Sequence, residues 1–149
     1  MPARKAPKYQ HNTPLLDKDH GPGRLNTLRF QSKESEGNNW WYDSQAPNDL
    51  DYPLPVNPAP QHIGTLYVHR NSLDGLFQIW MWGEKEGVLG WQPLDLATEQ
   101  ISHPKIPSRA LKLTKGQPSW VLLSTLTTYG GKSRSRSRKS SRAGSGASG

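Results

Sequence analysis

The chain has 149 residues, of which 32% are hydrophobic, and it contains 14 Gly, 13 Pro and no Cys. This length allows one domain with its tails, and the lack of cysteine excludes disulfide bonds, thiolate metal sites and thiol catalysis. The formal net charge of +7 is concentrated at the two ends: residues 1–29 carry six cations and two acids, residues 132–149 six cations and no acid, and residues 30–131 seven cations and ten acids. Such segregation is typical of basic arms that neutralise a polyanion.

The first half of the chain is predicted to contain an arm, two strands and a loop. Residues 1–24 include four prolines and few apolar side chains, so we expect a flexible basic arm. Strands are predicted at 25–31 and at 39–44, the second because it carries Trp40, Trp41 and Tyr42. Residues 46–60 hold five prolines, which favours an extended surface loop.

A β-hairpin is the strongest local prediction. Residues 63–69 and 76–82 are β-branched or aromatic runs, and the segment between them ends in Asp74-Gly75, a dipeptide that favours turns. In the second strand Phe77 and Ile79 share one face while Trp80 and Trp82 share the other. Since neither face is wholly polar, we expect one to meet the core and the other a partner.

The second half is predicted to add short strands and a tail. Strands are indicated at 88–96, 109–114 and 120–129, and residues 94–102 have a helical pattern too short to form a stable helix. The fold class is therefore all-β or β-rich, a small antiparallel sheet or barrel of five to seven strands over residues 25–129, with long Pro-rich loops. Residues 130–149 are predicted as a disordered Ser/Arg/Gly tail, so disordered basic arms flank the domain.

The tail contains a tract of alternating serine and arginine at residues 131–142. Guanidinium groups bind phosphate oxygens, and phosphorylation of the serines would cancel the positive charge of the tract. The alternatives are a solvated linker, a localisation signal or an engineered Gly/Ser end after Arg142.

Ten aromatic side chains form the second notable set: Trp40, Trp41, Tyr42, Tyr67, Phe77, Trp80, Trp82, Trp91, Trp120 and Tyr129. Exposed rings beside cations are a common platform for the bases of a single strand. We expect at least one of these rings to stack on a base, and the others to lie in the core or a subunit interface.

Catalytic patterns are weak. The five histidines, His11, His20, His62, His69 and His103, lack the spacing of a helical metal pair, and Ser44 and Ser124 lack the context of a nucleophile elbow. We therefore expect no enzyme activity, no cofactor and no metal site. A cleft that brought His62, His69 and an acid together would change this interpretation.

The layout resembles the RNA-binding half of coronavirus-type nucleocapsid proteins. The resemblance rests on Asn38-Asn-Trp-Trp-Tyr42, on Phe77-Gln-Ile-Trp-Met-Trp82, on Gly90-Trp91 and on the serine-arginine tract. It implies an RNA-binding domain on a small antiparallel sheet, followed by a linker regulated by phosphorylation. Unlike the family's basic domain, residues 30–131 are net acidic, and the family's Arg-Trp-Tyr-Phe-Tyr-Tyr strand is not present.

A second resemblance is to the small β repeats of phage tail-fibre and capsid-decoration proteins. It rests on Ile63-Gly-Thr-Leu-Tyr-Val68, on Asp74-Gly75 and on Gly90-Trp-Gln-Pro-Leu94. It implies a virion accessory protein that acts through protein contacts.

The sequence thus predicts a non-enzymatic viral structural protein of the nucleocapsid type, in the virion or host cytoplasm. Its expected partners are single-stranded RNA and virion proteins or further copies of itself, without a membrane. The residues predicted to bind nucleic acid are Arg4, Lys5, Lys8, Arg70, Trp80, Trp82, Lys132, Arg134, Arg136, Arg138, Lys139 and Arg142.

Overall fold

A computed structural model describes residues 5–11, 13–23, 25–31, 36–114 and 117–124. This part of the chain is rich in strands and contains almost no helix, which confirms the predicted fold class. The predicted tail at 130–149 lies outside it, as do Arg4 and the six cations from Lys132 to Arg142. The seven strands are β1 Asn26–Gln31, β2 Glu36–Ala46, β3 Leu66–Asn71, β4 Phe77–Lys85, β5 Val88–Leu94, β6 Arg109–Thr114 and β7 Gln117–Leu122.

The first five strands form one sheet in chain order, and β6 and β7 form a second sheet. Three pairs of the larger sheet are antiparallel, but β2 and β3 run parallel, so that sheet is mixed rather than purely antiparallel. A parallel pair needs a long crossover connection. The Pro-rich loop between β2 and β3 provides it.

The predicted hairpin is confirmed as β3 and β4, with Leu66 opposite Met81 and Arg70 opposite Phe77. Its turn is held by the side chain of Asn71, which accepts a hydrogen bond from the backbone N–H of Leu73 at 2.8 Å. Gly75 ends the turn with a φ of 74°, a conformation that glycine adopts without steric cost.

One face of the larger sheet packs against the smaller sheet. Phe77 and Ile79 of β4 contribute to this core, and Leu111, Leu113 and Trp120 face them from β6 and β7. Burial of such side chains stabilises a fold by about 1.5 to 3 kcal/mol each. This face is the core that the hairpin pattern predicts.

The opposite face is also covered by the chain itself. Here Trp80 packs with Tyr42, Tyr67 and Trp91, beneath Ala6 of the N-terminal segment and beneath Leu50 and Val56 of the Pro-rich loop. Trp80 is 0% exposed. The expectation that this face meets a partner therefore does not apply to the part around Trp80.

Residues 5–11 and 13–23, here called the N-terminal strap, lie along one end of the larger sheet. Tyr9 pairs with Phe77 beside β4, and His20 pairs with Gln45 beside β2, so the strap adds backbone hydrogen bonds at both sides of the sheet. Gln78 donates to the carbonyl oxygen of Ala6 at 3.0 Å. Backbone pairing thus connects to the sheet a segment that has little apolar surface to bury and that composition predicts as a flexible arm.

Two strand boundaries in the second half differ from the prediction. The strand predicted at 88–96 ends at Leu94, and residues 96–98 form a turn. The predicted strand 120–129 begins earlier, at Gln117, and ends at Leu122, since Gln117–Leu122 pairs along the whole length of β6. Residues 125–129 lie outside the described part.

Candidate nucleic-acid interface

Two of the predicted phosphate-binding cations are paired with acids. Lys5 Nζ lies 3.2 Å from Asp49 Oδ2, Lys8 Nζ lies 2.9 Å from Asp49 Oδ1, and Lys8 also contacts Asp74. Hydrogen bonds from Lys8 and then from Asn71 lower the pKa of Asp49 to about 2. These lysines fasten the strap to the domain, and their charge is already compensated.

Arg70, a third predicted contact, points under the strap. It is 7% exposed, its Nη1 donates to the carbonyl oxygen of Pro14 at 2.8 Å, and its Cζ lies 4.6 Å from the centre of the Phe77 ring. Desolvation lowers the pKa of Arg70. The strap therefore covers this side chain, which is not part of the outer surface.

The two predicted stacking residues differ from each other. Trp80 is enclosed, with its ring edge-on to Tyr67 at 6.0 Å, so it is a core residue and not a stacking surface. Trp82 lies two residues further along β4 and is half-buried. One edge of its ring system meets Trp91 at a centroid distance of 5.3 Å and an angle of 72°.

A further surface ring pair is formed by Trp40 and His62. Their rings are stacked, with centroids 3.8 Å apart and planes 7° from parallel. Trp40 is half-buried and His62 is exposed. Trp40 belongs to the predicted aromatic set, but the sequence carries no signal for the stack, because His62 comes from the connection between β2 and β3, distant from Trp40 in the chain.

Trp40 and Trp82 point to the same side of the sheet. Tyr42, Tyr67 and Trp80 pair in succession across β2, β3 and β4, and their side chains share one core. Trp40 precedes Tyr42 by two residues and Trp82 follows Trp80 by two, so both rings lie one step further towards the same end of the sheet. We call Trp40, His62, Trp82 and Trp91 the aromatic row.

The charges that flank the aromatic row are mixed. Arg29 is exposed on β1 opposite Asn38, two residues from the position opposite Trp40. Glu84 follows Trp82 by two residues on the same face and is exposed. The row itself therefore offers stacking surface more than positive charge.

A serine and a histidine are hydrogen bonded inside the domain. Ser44 Oγ lies 2.7 Å from His69 Nδ1, Tyr67 donates to Ser44 at 2.9 Å, and His69 Nε2 lies 2.7 Å from the carbonyl oxygen of Asn48. Burial lowers the pKa of His69, which favours the neutral ring. Nε2 then donates to Asn48 and Nδ1 accepts from Ser44, so each group has a partner.

Ser44 and His69 are both enclosed, which leaves a substrate no access to the serine hydroxyl in this structure. His62 lies elsewhere, on Trp40, so the histidines do not meet around a cleft. The network links β2, β3 and the start of the Pro-rich loop. It depends on the parallel register of Ser44 and His69, which sequence spacing alone does not indicate.

An open groove of about 380 Å³ lies between the strap and the smaller sheet. It is lined by Tyr9 and His11 of the strap, by residues 96–100 and by residues 111–113. None of the predicted binding residues lines it.

Comparison of the chain with protein-family models, with curated proteins and with solved structures gives no match. Within the described residues, none of the helical segments has the length and apolar character needed to cross a membrane. Those residues also contain no group of three or more His, Asp or Glu arranged to hold a metal ion.

Proposed function

We propose that the protein binds single-stranded nucleic acid, RNA in particular, without catalysis. The observation that carries the proposal is the pair of half-buried rings, Trp40 and Trp82, on one side of the sheet. Two rings in one row can each stack a base, and stacking of this kind is worth about 1 to 3 kcal/mol per base.

In this proposal the phosphate contacts come mainly from the C-terminal tract. Lys5 and Lys8 are paired with acids, and Arg70 is covered by the strap. The six cations of residues 132–149 have no acid among them. The rings therefore stack on bases, while the serine-arginine tract neutralises the phosphate backbone of the nucleic acid. These two roles suit a structural protein that coats RNA in a virion or host cytoplasm.

A second candidate function is contact with other proteins, as in a virion accessory protein. It is favoured by large apolar side chains exposed at hairpin turns: Leu73 is 79% exposed in the turn between β3 and β4, and Val88 and Leu89 are 66% and 53% exposed where β5 begins. Apolar groups displayed at a surface often mark contact sites.

A salt series separates the two functions. Affinity of the full chain for a labelled single-stranded RNA, measured by fluorescence anisotropy from about 50 to 200 mM salt, should fall with a log–log slope of about −0.7 per phosphate neutralised, or about −4 for six contacts. Deletion of residues 132–149 should flatten that slope. Trp40→Ala and Trp82→Ala should each weaken binding about 5- to 100-fold with little change of slope.

Leu73→Ala is the matched control, because it removes an exposed apolar side chain from a distant turn and should leave RNA affinity unchanged. Absence of binding at about 50 mM salt would contradict the nucleic-acid function. So would an unchanged affinity in both tryptophan variants together with an unchanged slope after tail deletion. Self-association that is lost in Leu73→Ala would then support the protein-contact function.

A further inference from the structure

Three polar side chains gather around the Phe77 ring at the inner side of the strap, and Thr13 adds a fourth two residues after His11 in the chain. Tyr9 and His11 have ring centroids 6.2 and 5.9 Å from that of Phe77, and the Arg70 guanidinium lies over the same ring. Thr13 immediately precedes Pro14, whose carbonyl oxygen accepts from Arg70. We call Tyr9, His11, Thr13 and Arg70 the polar cluster.

Each member of the polar cluster has a buried polar atom without a hydrogen-bond partner among the described residues. These atoms are the Tyr9 and Thr13 hydroxyl oxygens, His11 Nε2 and Arg70 Nε. An unsatisfied buried polar group destabilises the folded state, so four such atoms on the strap and on the strand residue beneath it require a physical explanation. Three of the four stand on one short stretch of the strap.

The chemistry of the polar cluster favours an anion. The Arg70 Nε–H can only donate, both hydroxyls can donate, and a protonated His11 ring donates from either nitrogen. Ion pairs within the described residues involve Lys5 and Lys8 and leave Arg70 without a bound carboxylate. Asp43 acts on Arg70 only as a more distant charge.

We propose that the polar cluster is a binding site for a single phosphate group. Arg70 supplies the positive charge and an Nε–H donor, while the two hydroxyls and His11 donate to the remaining oxygens. The Phe77 ring forms the floor beneath the guanidinium. The groove, which Tyr9 and His11 line, is the route by which phosphate would reach the cluster.

The state of His11 supports this assignment. Desolvation, and then the charge of Arg70, lower the pKa of His11. The negative charge of a bound dianion would oppose this lowering by favouring the protonated ring. The free site is thus neutral at His11, and the occupied site gains a second cation.

Inorganic phosphate and the phosphodiester of a strand share this chemistry, so the experiment uses both. The full chain is titrated with inorganic phosphate against chloride at constant ionic strength, while NMR follows the Arg70 Nε–H signal and the His11 ring. We expect saturable shifts at both residues and a rise in the pKa of His11. An unmoved Arg70 signal would overturn the proposal.

Variants make the test specific. Arg70→Gln should weaken phosphate binding about tenfold or more, and Thr13→Val, which preserves charge and shape, about fivefold. Lys85→Gln, an equal loss of charge at an exposed position of β4, is the control and should have no effect. If Arg70→Gln fails to fold, Thr13→Val and the His11 titration decide. If Lys85→Gln weakened phosphate binding as much as Arg70→Gln, the effect would come from the overall charge of the protein, and the site would be refuted.

A short single-stranded RNA is the second ligand. Shifts at Arg70 and His11 like those given by phosphate would identify the strand as the source of the phosphate group. Shifts with inorganic phosphate alone would identify a free anion, and the site would stand even if the RNA did not bind at all. RNA binding without a response of the polar cluster to either ligand would leave the proposed function intact and overturn the phosphate site.

Discussion

Removing the charge of Asp49 should loosen the attachment of the strap. Its carboxylate joins Lys5 and Lys8 of the strap to the loop that follows β2, and it accepts a hydrogen bond from Asn71 at 2.7 Å. Asp49→Asn keeps the shape of the side chain but abolishes both ion pairs. We expect a loss of unfolding free energy and easier release of the strap.

The magnitude follows from the pKa of Asp49, which falls from an ordinary value of 3.8 to about 2. At 1.36 kcal/mol per pKa unit this would give about 2.4 kcal/mol. The Asp49 side chain is 21% exposed and that of Lys5 48%, so solvent screens part of the interaction. We therefore expect a loss of about 1 to 2 kcal/mol, or about 0.5 to 1 M in the urea midpoint.

The pH dependence has a definite sign. A carboxyl with a lowered folded-state pKa stabilises the protein fully above its unfolded pKa, and this stabilisation disappears as the pH falls through the folded pKa. The difference in unfolding free energy between the original protein and Asp49→Asn should thus be full at pH 7, shrink below about pH 4 and vanish near pH 2.

Urea unfolding at a series of pH values measures this gap, and Asp51→Asn, at an exposed aspartate two residues further on, is the control. Two results would refute the reasoning. One is a gap no larger than that of Asp51→Asn, and the other is a gap that stays constant from pH 7 to pH 2.

Two further predictions concern buried side chains. Trp80→Ala should lower the unfolding free energy by about 3 to 5 kcal/mol, because removal of the enclosed ring leaves a cavity. Chemical denaturation measures this loss. A loss no larger than that of Trp82→Ala would contradict the place of Trp80 in the core. The side-chain amide of Gln78 accepts from the Leu50 N–H at 2.8 Å and donates to the carbonyl oxygens of Leu50 and Ala6. Gln78→Ala should therefore lower the unfolding free energy by about 1 to 3 kcal/mol and speed hydrogen exchange at the Leu50 amide. Unchanged exchange at Leu50 would show that this side chain does not hold the loop and the strap.

Much of the larger sheet could be predicted because its signals are local. The runs that became β3 and β4 are β-branched or aromatic and flank Asp74-Gly75, so both strands and their turn follow from neighbouring residues. The prolines of residues 46–60 likewise exclude helix and central strand. Such features need no knowledge of distant contacts.

The candidate site could be predicted only in part, because it depends on which faces are covered. Alternation in β4 correctly placed Trp80 and Trp82 on one side, but Trp80 lies within the buried cluster whereas Trp82 packs against it and is half-buried. The strap itself is held by backbone atoms, by the side-chain amides of Gln45 and Gln78, and by ion pairs of Lys5 and Lys8 with an acid more than 40 residues away. Composition therefore gave no sign that it would dock.

The strap also constrains the order in which the protein can be assembled during synthesis. Residues 5–23 leave the ribosome before either of their pairing sites exists, since Tyr9 pairs with Phe77 and His20 with Gln45. The end at His20 can pair once β2 has been translated, but the end at Tyr9 has no docking place until β4 has been translated and is accessible to ligands until then. Its attachment is thus a late folding event, governed by contacts far apart in the chain, and such contacts form slowly. In a nascent chain Lys5 and Lys8 are accessible to a polyanion before they can form ion pairs with Asp49 and Asp74.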